Sequence, residues 1–599
     1  KAFDSSSLMV LSNLFEITVN FGSSMSNQVE VLWISLSNNV QNIDKIVEFL
    51  LQSSLELKNP SFVEQSRQII DYLAFARSDP AYIIDKLINN LQPRMMVPPQ
   101  LGNKSTAPIS KDYPYVCDIK RIIQTNEKDV IFSLGQLSMV FLVDIVTLKN
   151  DLMIEKLPLL LHVSLSLMDH YLPIVQEQAG TFLVHLIHAL VRDDPKAQET
   201  ILSLRENDHI KHLWVYDDLN NDKKGARTPK NMDLLIRSAI KMFAAVAPNI
   251  QDDWSRVSLH WATTCAVRHI ACRSFQVFRS LLSFLDQSML KDMLHRLSNT
   301  ISDETVDIQG FAMQILMTLN AITAELDSEK LIDFPQLFWS SVACLSTIHE
   351  QEFIEVLSTL NKFISKIDLD AADTVACLTK TFPQKWEGKF EGLQQVILVG
   401  LRSSTSWEPT LKFLDKLIVH KDSLIIGMGD SRVLTALLAN MPRFLHHLSE
   451  ENVTPEIENT AMALSQLAED SGKSSLAKLL VSFAKRRFRS KSDFLDQSIL
   501  CIKNAFFPEY QAQTLVLLLG LLFNKMPWVK TETLGLLQLI FPLVDLQRDE
   551  FIGVGADLIS PLLRLLLTDY AEWALQVLDE AEIIPGSQSD KDILRMSLG

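Results

Sequence analysis

The chain has 599 residues, far more than one compact hydrophobic core holds, so it is either several domains or an extended repeat array. Its net charge of −16 and pI of about 5.3 argue against general nucleic-acid binding and against docking on anionic lipid, both of which need surplus Lys and Arg. Glycine is only 18 of 599 residues, about half the usual share, and no run alternates like a strand, so the reading is all-α.

Residues 1–91 read as helical repeats. Asp79-Pro80 is a start signal, because Asp caps free N–H groups and Pro lacks the donor that the first turn does not use. Ile83, Ile84, Leu87, Ile88 and Leu91 then trace one apolar stripe. Residues 92–116 read as a Pro-rich loop, carrying Pro93, Pro98, Pro99, Pro108 and Pro114; such a length inside a packed array is either disordered or functional. Residues 117–215 resume as HEAT-like repeats, with a second capped start at Asp194-Pro195. Residues 216–232, YDDLNNDKKGARTPKNM, are too poor in apolar side chains to order themselves and read as a mobile polar excursion. Residues 233–584 are HEAT/armadillo-like repeats again, and residues 585–599 a frayed tail. In this part Ser302, followed by two acidic residues, reads as a helix start.

A turn pattern recurs: a branched residue, a polar one and a small one four positions after the first. It occurs at Val175/Ala179, Val267/Ala271, Ile308/Ala312, Ile457/Ala461 and Val529/Thr533. The anchors lie roughly 92, 41, 149 and 72 residues apart, near multiples of the roughly 40–47 of HEAT and armadillo units when degenerate units intervene. At 261–285 the cluster is fullest: Val267-Arg268, Ala271 and Phe275, then Phe278, Leu282 and Leu285 continuing one buried stripe. The fold predicted is an elongated α-solenoid of HEAT/armadillo-like repeats; stacked helical bundles are the alternative.

No chemistry emerges from the motifs. Gly472-Lys473-Ser474 resembles the end of a phosphate loop, but the earlier glycine is replaced by Leu467 and the preceding segment reads as helix. Gly427-Met428-Gly429 lacks a third glycine and reads as an inter-helix turn. His185 and His188 lie one turn apart with no matched carboxylate or thiol, and His446-His447 point to different sides of a helix. No HExxH, GxSxG or CxxC occurs. Six scattered cysteines read as buried free thiols in a reducing compartment; Cys265 and Cys272 fall on one helical face, too far apart for a disulfide. With no signal-peptide pattern, and apolar runs too short to span a bilayer, no integral membrane segment is expected and the chain is placed in the cytoplasm. Catalytic, cofactor and metal residues are therefore set at none, and the chain is read as not an enzyme.

Two features are candidate protein-interaction sites. One is the basic run Lys485, Arg486, Arg487, Arg489 and Lys491 around Phe488, which in an acidic chain suits a phosphate, an acidic tail or a tubulin-like surface; its plain alternative is a solvated helix end. The other is Arg268, which either faces a partner or, as the favoured reading, pairs with a neighbouring repeat.

The stretch WATTCAVRHIACRSFQVFRSLL at 261–282 resembles the Furry family, large cell-morphogenesis scaffolds of animals and fungi, more its fungal members. LPLLLHVSLSLMDHYLPIVQEQAGTFLVHLIHAL at 157–190, HLWVYDDLN at 212–220 and NMDLLIRSAIKMFAAVAPNIQDDW at 231–254 carry the same resemblance, in an order that fits the later part of such a protein. The resemblance implies a non-catalytic scaffold that binds an NDR/LATS-class kinase and its Mob coactivator, at the cell cortex or sites of polarised growth. It assigns no partner contact to a particular residue. A karyopherin-type transport or cargo adaptor, also acidic and helical, is the runner-up.

Overall fold

The computed structural model describes residues 3–100, 112–123, 130–206, 209–215, 228–283, 285–303, 309–552 and 555–582. The chain divides into two compact units, Lys1–Thr318 and Leu319–Gly599. Both are helical arrays in which successive helices turn back on one another through short connections. Among the described residues β pairing is confined to an isolated bridge between Ser423 and Gly427.

Local chemistry sets the helix starts. Asp194 accepts from the Lys196 N–H, with Pro195 in the first turn. Asn59 caps the Pro60–Phe75 helix and Thr454 the Pro455–Asp470 helix in the same way. Asp79 accepts from the Ala81 N–H at 3.2 Å, while Pro80 stands at the cap position itself. The turn pattern marks a definite place. Val175, Ile457 and Val529 are each the third residue of a helix that opens on Pro, and each is buried, as are Ala179, Ala461 and Thr533 four residues on. Small side chains there let a neighbouring helix approach closely.

The first unit corrects several expectations. Val267 is a half-buried cap residue of the Arg268–Leu281 helix, and burial begins at Ile270, Ala271 and Phe275. That helix ends at Leu281 because Leu282 takes a positive φ of 23°, so the stripe stops and Leu285 sits in the next turn. Ser302 closes the Gln287–Ile301 helix, its hydroxyl donating to the Ser298 carbonyl, and residues 304–308 after it lie outside the described set. Cys265 ends the Ile250–Thr264 helix while Cys272 lies within the next, so they do not share a helical face. Ile308 is outside the described residues.

The Pro-rich stretch begins as structure. Pro93–Met96 is a buried 3-10 turn; Met96 fills the space over Gly135, and the Pro93 carbonyl accepts from the Cys265 thiol at 3.8 Å. Residues 101–111 lie outside the described set. Of the segment 216–232, residues 216–227 also lie outside it. Its remainder is ordered: Thr228 donates to the Gln276 carbonyl at 2.5 Å, and Met232 is buried in the Lys230–Phe243 helix. The tail 585–599 is likewise not described.

The second unit stacks Pro335–Cys344, Glu350–Lys366 and Ala372–Lys380, then closes on itself. The helix Gly429–Ser449 is buried at every position from 432 to 445. A solenoid helix keeps an outer face in water; this one is enclosed because later helices return to it. Asn524 donates to the Leu401 carbonyl at 2.9 Å and Gln513 to the Ser431 hydroxyl at 2.6 Å. Trp528 stacks on His446 at 4.3 Å and meets Trp407 edge-on at 5.6 Å.

Candidate interaction surfaces

Arg268 donates to Asp303 at 2.6 Å, with both side chains a little over a third exposed. Asp303 follows the next repeat's first helix, so the pair bridges consecutive repeats. Arg296 on that helix reaches back to the Thr263 and Cys265 carbonyls and lies over the Phe311 ring at 4.9 Å. On the same helix as Arg268, His269 and Arg273 converge on Asp169. Burial alone would raise the Asp169 carboxyl; the His269 hydrogen bond and the Arg273 charge outweigh it and hold it below the usual carboxylate range. Arg268, Arg296, His269 and Arg273 thus each make a polar contact with a residue outside their own helix.

The basic run straddles the turn between Ser474–Ala484 and Lys491–Phe506. Its first three residues close the earlier helix: the Arg486 N–H donates to the Phe483 carbonyl and the Arg487 N–H to the Ser482 carbonyl, both at 3.0 Å. Arg486 takes the left-handed φ of 56° that favours glycine, and its guanidinium holds Glu458 at 2.6 Å and the Val453 carbonyl at 2.7 Å. Lys491 pairs with Glu532, whose side chain is only 8% exposed. Phe488 packs edge-on against Phe494. Lys485, Arg487 and Arg489 stay exposed with no carboxylate partner among the described residues. The five cations of the sequence are two structural ties and three free charges.

The other motifs resolve into packing. Gly472 turns with φ 75°, and Lys473 donates to the Ala505 carbonyl and pairs with Asp430, both at 3.1 Å. His185 contacts the Val143 carbonyl at 2.6 Å, His188 is exposed, and His447 meets the Asn452 carbonyl at 2.7 Å. Among the described residues no three His, Cys, Asp or Glu side chains are placed to hold a metal ion, and no helix is long and apolar enough to cross a membrane. All six thiols are free; burial pushes Cys265, Cys272 and Cys344 up to about 11, which leaves them poor nucleophiles. One cluster escaped sequence reading: burial and the adjacent Asp144 push the Asp71 carboxyl up to about 8, beside Arg67. Arg67 and Asp71 lie one turn apart on the Pro60–Phe75 helix, but Asp144 comes from a distant part of the chain, so no spacing signals the carboxylate pair.

Comparison with known proteins follows both units. A family model for the cell morphogenesis central region matches residues 3–106 and 104–310, and one for the cell morphogenesis C-terminal region matches 335–586. The chain is 54% identical over 593 residues to the cell morphogenesis protein PAG1 of Saccharomyces cerevisiae, covering 99% of this chain and 25% of that protein. It is 31% identical over 612 residues to the cell polarity protein mor2 of Schizosaccharomyces pombe, covering 100% of this chain and 27% of that protein. It thus spans about a quarter of the length of the curated relatives it matches. Among solved structures, Kap121p is 14% identical with a TM-score of 0.26, covering 98% of this chain and 58% of that one, a likeness too loose to carry an argument. On its matches to both regional models and to PAG1 and mor2, the chain belongs to the Furry family of cell morphogenesis proteins.

Proposed function

We propose that this chain is a non-catalytic scaffold segment serving polarised growth and cell morphogenesis, and that it holds an NDR/LATS-class kinase together with its Mob coactivator at the cell cortex. The observation that supports this reading is the 54% identity, along 99% of the chain, to a protein named for cell morphogenesis. A helical array suits the task because contact energy is spread over many helix ends and faces instead of one pocket. With a net charge of −16, the chain attracts a basic segment of the pair over distance.

The test is binding of the purified kinase–Mob pair to the 599-residue chain at two salt concentrations. Screening shortens from about 10 Å at 0.1 M salt to about 3 Å at 1 M, so association slows markedly while dissociation changes less. Failure of the pair to bind, with capture of a small GTPase in its place, would replace the scaffold by the transport-adaptor reading. Association equally fast at both salts would leave an apolar interface and remove the electrostatic part.

A further inference from the structure

The second unit carries a groove of about 660 Å³ between the Ala372–Lys380 helix and the turn at 421–428. One wall is the face Ala372, Val375, Ala376 and Thr379, at positions i, i+3, i+4 and i+7. On that face Ala372, Ala376 and Thr379 are exposed and Val375 half-buried, while the helix buries Thr374 and Leu378 on its other side. The other wall presents Leu424, 60% exposed, and Met428, 54% exposed. Large apolar side chains held out beside small ones make a trough that a partner's apolar side chains fill.

The turn is held rigidly. Ser423 and Gly427 exchange backbone hydrogen bonds of 3.2 and 2.9 Å, and the buried Ile425 and Ile426 carbonyls accept from the Leu393 and Gln394 N–H groups. Gly392 lies so close beneath that an added Cβ would come within 2.6 Å of the Gly427 backbone. The trough is therefore built before any partner arrives.

Charge then selects the partner. Two carboxylates and two ammonium groups border the trough. Both carboxylates are engaged: Asp370 accepts from His420 and the Lys421 N–H, and Asp422 from Arg432 and the Gly429 N–H. Among the described residues the Lys380 ammonium has no hydrogen-bonded or ion-paired partner, and the Lys421 ammonium makes no contact pair, its charge reaching Asp370 only over distance. With Asp422 paired to Arg432 and Asp370 offset by Lys421, the Lys380 charge is left over, so the rim keeps a surplus positive charge in a chain of net charge −16. Backbone geometry narrows the choice further. The helical wall satisfies its own backbone, and the turn's bridge groups are occupied, so an extended peptide finds no ladder to join.

We propose that this trough is a docking site for a short amphipathic helix of another protein, with apolar residues one turn apart seated between Ala376 and Met428, and Asp or Glu residues beside Lys380 and Lys421. The site does not depend on the kinase reading above. It is one local, separable contact on the second unit.

The test uses a displayed library of 14-residue peptides selected on the 599-residue chain, with the groove-filling variant Ala376→Trp as the subtraction target. Ala376 is exposed, so equal circular dichroism and melting temperature establish that the variant folds. The expected winners carry apolar residues at i and i+3 or i+4 with acidic neighbours, turn helical on binding, and lose binding on Ala376→Trp. Lys380→Glu with Lys421→Glu weakens them about five- to tenfold, and the fold remains unchanged. Winners with basic flanks, or winners that bind extended, overturn the assigned chemistry. No winner sensitive to Ala376→Trp overturns the site itself. Self-association of the chain that Ala376→Trp abolishes would make the occupant a second copy, and overturns the assignment to another protein.

Discussion

Arg432 offers a sharp test of how the second unit is held. Its side chain is wholly buried, and it donates to Asp422 at 2.6 Å, the Leu417 carbonyl at 2.9 Å, the His420 carbonyl at 2.8 Å and Gln394 at 3.3 Å. The Leu417 carbonyl, which also accepts from the His420 N–H at 3.1 Å, and the His420 carbonyl lie at the end of the Ser404–Leu417 helix, so one guanidinium ties that helix end and the 421–428 turn together. Arg432→Met keeps the aliphatic stem and removes the donors. Hydrogen bonds to a charged group contribute about 1.5–3 kcal/mol each; the buried Leu417 carbonyl and the part-buried His420 carbonyl both lose the guanidinium, the former keeping its His420 N–H donor. Asp422 is 38% exposed and regains water, so its loss counts little. Relief of the buried guanidinium's desolvation offsets part of the total. The net expected is a loss of about 3 kcal/mol, or about 6–12 °C in melting temperature for a unit of this size. Calorimetry measures the shift, and amide exchange at Gly427 and Gly429 should quicken beyond the rest of the unit. A shift under about 2 °C would refute the reasoning, because desolvation would then cancel the bonds.

Four further outcomes are expected. Ala271→Leu overpacks a side chain with no accessible surface and should cost about 1–3 kcal/mol in a urea melt with no partner present. Arg268→Glu sets a carboxylate against Asp303; because that pair is partly exposed, the loss should be about 1 kcal/mol, restored by the added change Asp303→Arg. Asp71 keeps its proton in the folded chain up to a pKa of about 8 but releases it near 3.8 when unfolded, so its contribution to stability falls as pH rises between these values. Asp71→Asn should therefore gain on the native chain across pH 4–8, by at most about 1.4 kcal/mol per pH unit, in chemical melts at stepped pH. Replacing Lys485, Arg487 and Arg489 together by Glu should leave stability within about 0.5 kcal/mol, since none of the three makes an internal tie, while any acidic partner of that turn loses affinity.

The helices were legible because each repeat announces itself locally. Asp194-Pro195 and the third-residue anchors Val175, Ile457 and Val529 act within one turn of chain. What escaped reading depends on distant partners. Ser302 has the composition of a cap, yet its hydroxyl serves the helix behind it. Leu282 suits a helix, but the chain turns there through a positive φ that composition does not signal. The basic run looks uniform until Glu458 and Glu532, from other helices, take Arg486 and Lys491. The trough was hidden for the opposite reason: its helical wall is two Ala and a Thr around the single Val375, too weakly apolar to register as a face.

The enclosed helix Gly429–Ser449 has a consequence for synthesis. The residues that cover it include Gln513 and Trp528, and their helices end only at Ile540, roughly 95 residues beyond Leu445. At about 5–20 residues per second a ribosome takes about 5–20 s to deliver that cover. Throughout this interval the growing chain carries a helix destined for burial on every side, its apolar side chains and its buried Arg432 and Arg443 alike, with part of its neighbours unborn. Each nascent copy thus passes through a window in which one segment is suited to chaperone capture and exposed to its neighbours on the same message. The window closes when Trp528 reaches His446.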